Sequence, residues 1–96
     1  MSDPGSHLSC YLAEWYRAEF WDEEKVDHTF AQLSRGAQVI SQNGATAKVL
    51  MTLSVPTDDV FFCIFVAPSP DVVTQVCERA GIPAERVTAA MAIAAA

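Results

Sequence analysis

The run Val60-Phe61-Phe62-Cys63-Ile64-Phe65-Val66 constrains this chain more than any other segment. Its apolar residues are far fewer than the ~20 that cross a bilayer as a helix. They are also too apolar on both sides for the rim of a sheet, so they specify a strand covered on both faces. Leu8 to Arg17 repeats the pattern, with Glu14 its only carboxylate, and reads as another strand apolar on both faces. A fold with two such strands sets both at the centre of a sheet and needs cover for two sheet faces.

The remaining segments fit around this pair. Val26, Phe30, Leu33, Ala37 and Ile40 recur at spacings of four and three, one stripe of a helix that runs from Glu23 to Gln42. Asp22 reads as its N-cap, Glu23 and Glu24 complement its dipole, Gly36 is a weak point inside it, and Asn43-Gly44 supplies a left-handed stop. From Thr46 to Val55 the residues alternate. Ala47, Val49, Met51, Leu53 and Val55 fall on one side and Lys48, Leu50, Thr52 and Ser54 on the other, which suits an edge strand. Pro56 to Asp59 is a turn. In Ala67-Pro68-Ser69-Pro70-Asp71, Ser69 caps a second helix, Pro70 opens it and Asp71 favours its positive end. Val72, Val73, Val76, Cys77 and Ala80 form its buried stripe before Gly81 ends it. Arg86 to Ile93 alternates through Val87, Ala89, Met91 and Ile93 as a last strand, with helix the competing reading for so alanine-rich a tail.

The order β-α-β-β-α-β with right-handed crossovers gives an α+β fold of the ferredoxin-like kind, a four-stranded antiparallel sheet with two helices on one face. Residues 8–96 form one domain. Residues 1–7 read as a leader or as the scar of a tag, which gives His7 little functional weight. Because helices cover one face only, the apolar side chains of the other are expected to meet a second copy, giving a homodimer through the open sheet face in an α+β barrel-type assembly. Composition agrees: 51% of the 96 residues are hydrophobic and 19% charged, more apolar area than a domain of this size hides alone.

The net charge of −6 argues against nucleic acid, whose affinity comes from clustered Lys and Arg. No segment suits a membrane span. Cys10, Cys63 and Cys77 are odd in number, lack a C-x-x-C pair and sit among apolar residues, so reduced thiols and a cytoplasmic setting are expected. No Ser-His-Asp set, phosphate loop or H-E-x-x-H occurs, and no catalytic residue is assigned.

The run APSPDVVTQVCERAGIPAERVT from Ala67 to Thr88, with DDVFFCIFV before it and YLAEWY near the start, resembles a family of small bacterial proteins catalogued as a domain of unknown function. One branch of that family is described as nickel-binding. The resemblance implies a ferredoxin-like dimer and raises nickel or another divalent metal as a ligand, without carrying a ligand set over residue by residue.

Three groups of residues could carry a function. Glu14, on one face with Cys10, Leu12 and Tyr16, is a carboxylate in a central strand; desolvation there suits an acid, a base or a metal ligand, and an interface ion pair with Arg17 or Lys48 is the alternative. Glu24 and His28, four apart on the first helix, could share a divalent ion or form a solvated pair, so Glu14, Glu24 and His28 are the metal-ligand candidates. Tyr11, Trp15 and Tyr16, with Phe20 and Trp21, could wall an apolar pocket for a small molecule or serve as packing; Cys63, grouped with that pocket, could be a soft metal ligand or a nucleophile, or a buried inert thiol. The leading expectation is a non-catalytic homodimer binding a divalent metal. The alternatives are a cofactor-free α+β barrel enzyme using Glu14 as acid or base, and a regulatory binding module.

Overall fold

The computed structural model of the chain describes residues 8–16 and 23–91. Their elements are β1 (Ser9–Tyr16), α1 (Glu23–Gln42), β2 (Lys48–Val55), β3 (Val60–Ala67), α2 (Pro70–Arg79) and β4 (Arg86–Ala90), with a 3-10 turn at Pro56–Asp58. The strands pair antiparallel in the order β2-β3-β1-β4. The two doubly apolar strands are the central pair, and the fold is ferredoxin-like α+β. Arg17, Phe20, Trp21, the expected cap Asp22, the leader with His7, and Ile93 lie outside the described residues.

One sheet face and the two helices enclose the core. Tyr11, Ala13 and Trp15 of β1 and Phe61, Cys63, Phe65 and Ala67 of β3 pack with Leu33, Ala37 and Ile40 of α1 and Val72, Val73, Val76 and Cys77 of α2. The second helix starts as its sequence specifies: the Ser69 hydroxyl accepts the Val72 N–H at 3.4 Å. Gly81, at φ +82°, takes up the left-handed turn that follows. No helix among the described residues is long and apolar enough to cross a membrane.

Two expectations are corrected. Phe30 does not belong to the buried stripe of α1 but is 40% exposed, while Thr29 and Gly36 turn inward. At Gly36 the cause is the neighbouring helix. A methyl group on Gly36 would stand 2.8 Å from the Val76 carbonyl oxygen, so α1 presents its least bulky residue where α2 crosses. Gly36 is thus a contact point of the fold and not merely a weak spot in a helix.

The second correction concerns β2. Its apolar residues do not share a side, because the register against β3 slips between Val49 and Met51 at a β-bulge. Ala47 and Val49 pack on the core, whereas Met51 and Leu53 stand on the opposite face, each 55% exposed. Ahead of the bulge, the Ser41 hydroxyl donates to the Ala47 carbonyl at 3.1 Å and accepts its N–H at 3.2 Å, tying the end of α1 to the entry of β2.

Candidate functional site: the open sheet face

The strand register fixes which side chains line the face away from the helices. One row across the sheet runs Leu53, Phe62, Glu14, Arg86, and the next runs Met51, Ile64, Leu12, Thr88. Flanking rows add Val55, Val60 and Tyr16 at one end, and Lys48, Val66, Cys10 and Ala90 at the other. The two middle rows pass from apolar residues on β2 and β3 to polar ones on β4. Leu12, Met51, Leu53, Phe62 and Ile64 line a depression of about 210 Å³ whose walls are all apolar.

Glu14 lies at the border of this depression, beside Leu12 on its own strand and opposite Phe62. Its side chain is only 12% exposed. Two neighbours hold it: the Tyr16 hydroxyl donates to Oε1 at 2.6 Å, and Arg86 Nε stands 3.8 Å from Oε2. The Glu85 N–H donates to the Glu14 carbonyl at 2.9 Å, and the Glu85 carboxylate accepts the Tyr16 N–H, so the ends of β1 and β4 are locked around the pair. The hydrogen bond it donates to Glu14 holds the Tyr16 phenol above the ordinary value of 10.0, desolvation and the charge of Glu14 act in the same direction, and Arg86 opposes them.

The other sequence candidates are dispersed. Glu24 and His28 are exposed on α1, whose buried side packs on the face of the sheet opposite to Glu14. The three metal candidates therefore do not meet within one chain. Among the described residues no group of three or more His, Cys, Asp or Glu side chains is gathered to hold a metal ion. Tyr11, Trp15 and Cys63 lie in the core on the helix side, and Tyr16 is exposed on the open face, so the sheet divides the pocket candidates.

Burial pushes the Cys63 thiol far up, with the neighbouring Cys77 adding to it, and pushes Cys77 up to about 12. Such thiols stay protonated and unreactive. All three cysteines are free, and Cys10 is half-buried on the open face and not in the core. Arg86, Phe62 and Leu53 complete the site, yet nothing marks them individually in the sequence. Alternation along β4 sets Arg86 opposite to Val87, but only the register brings it beside Glu14.

No family model and no curated protein matches the sequence. Among solved structures, the chain is similar to the crystal structure of SCO4226 from Streptomyces coelicolor A3(2), with a TM-score of 0.73 at 15% identity over 90% of this chain and 100% of that one. At that identity the likeness concerns the fold.

Proposed function

We propose that this chain is a non-catalytic binding protein that works as a homodimer closed through its open sheet face, with the apolar depression enclosed between the two sheets. The observation that carries this reading is Met51 and Leu53, both 55% exposed, beside Phe62, Ile64 and Leu12 on one continuous apolar surface. The size of the face supports a second copy as its cover. Three strands of eight residues and one of five, ~4.8 Å apart, present about 450 Å² in projection, and side-chain relief raises the accessible area toward the ~800 Å² per partner of a standard interface. Sedimentation of tag-free protein tests it. A dimer is expected, and Met51→Glu with Leu53→Glu is expected to give a monomer with unchanged circular dichroism. A wild-type chain that stays monomeric at high concentration sinks the proposal.

A divalent metal such as nickel is the second reading, favoured by Glu14. Pairing through this face shields a carboxylate from each copy, and a cation held between the copies offsets that cost. Calorimetric titration with nickel should then saturate at one ion per dimer and weaken in Glu14→Gln; a flat titration disposes of it.

A further inference from the structure

The open face differs from the rest of the chain in charge as well as in polarity. The chain carries −6, with twelve acidic residues against six basic ones. Among the strand residues that line the open face, however, Lys48 and Arg86 outnumber the single carboxylate, Glu14. Arg86 stands at the polar end of the row that begins with Leu53 and Phe62, and its side chain is 64% exposed. Its Nε lies 3.8 Å from Glu14, beyond hydrogen-bonding length, and although the Tyr16 hydroxyl engages the guanidinium, a group with five N–H donors keeps others for a ligand.

Building on the reading of this face as a binding surface, we propose that it takes a small amphiphilic anion, an aryl or short alkyl carboxylate. The apolar body lies on Leu12, Leu53 and Phe62, and the carboxylate is held by Arg86. The dimensions agree. An apolar cavity of ~150 Å³ accepts a benzene ring, and the depression holds about 210 Å³. Arg86 is two strands from Phe62, roughly 10 Å at the usual strand spacing, a span that a ring with its carboxylate and an arginine side chain bridge together. A planar guanidinium suits a carboxylate because the two can meet through paired hydrogen bonds. Glu14 stands beside the incoming head group as a competing negative charge.

Benzoate titrated into the tag-free protein, followed by calorimetry and by amide shifts at Leu12, Phe62 and Ile64, tests this, with benzyl alcohol as the neutral probe of similar body. Saturable benzoate binding is expected, weakened roughly tenfold in Arg86→Gln and less in Arg86→Lys, while benzyl alcohol shows no dependence on residue 86. Glu14→Gln is expected to tighten benzoate, since it removes the repelling charge; a merely structural Glu14 would loosen it. Absence of saturable benzoate binding, or equal affinity in wild type and Arg86→Gln, overturns the inference. Sedimentation of the same samples separates the two proposals: a monomer with Arg86-dependent benzoate binding defeats the dimer alone, and a dimer indifferent to benzoate defeats the ligand alone.

Discussion

The indole N–H of Trp15 donates to the Ile82 carbonyl at 2.9 Å, joining the middle of the sheet to the segment between α2 and β4 across 67 positions of sequence. The ring is fully buried and meets Phe61 at a centroid separation of 5.4 Å. Trp15→Phe keeps an aromatic ring but leaves that carbonyl without its donor and a void beside it. A loss of about 2–4 kcal/mol in unfolding free energy is expected from these two effects, read by urea denaturation.

Gly36→Ala should destabilise although alanine is the better helix former. Helix propensity favours the change by about 1 kcal/mol, but the added methyl would lie 2.8 Å from the Val76 carbonyl oxygen, which is backbone and cannot swing aside. A net loss of about 1–3 kcal/mol is expected from the forced separation of α1 and α2. A stabilised variant would show that the two helices part without cost.

The phenol of Tyr16 is expected to ionise above pH 10.0, because the folded state holds its proton through Glu14. The stability that this bond contributes is present below the unfolded phenol's pKa and is lost as pH rises through the folded value. Ultraviolet titration in a Tyr11→Phe background isolates Tyr16, the chain's other tyrosine. Glu14→Gln should return the midpoint toward the ordinary value, and a midpoint indifferent to residue 14 contradicts the assignment.

Thiol labelling at neutral pH should distinguish the three cysteines. Cys63 and Cys77 are buried with raised pKa values and should react only after unfolding. Cys10, half-buried on the open face, should react in the folded monomer. If two copies close over that face, its labelling slows as protein concentration rises, and Met51→Glu with Leu53→Glu abolishes the slowing.

Elements whose cause is local were legible in the sequence. The capping signal at Ser69-Pro70-Asp71 placed the start of α2, the 3.6-residue period placed α1 from Glu23 to Gln42, and double-sided apolar character placed β1 and β3 at the centre. Features with a cause elsewhere in the chain were not. The inward turn of Gly36 follows from the approach of Val76, and no count of apolar spacing within α1 contains that neighbour. The face of Glu14 and its pairing with Arg86 both depend on register, which is set by β3 and β4 together.

The bulge at Leu50 also bears on which changes of length the chain can absorb. Elsewhere in the four strands, removing a residue would invert the facing of every side chain beyond it, moving core residues to the surface. At Leu50 the spare residue is already out of step with β3, so excising it leaves Met51, Leu53 and Val55 where they now stand and merely straightens the strand. Among the described strand residues it is the position where the backbone can be shortened by one without exchanging inside for outside.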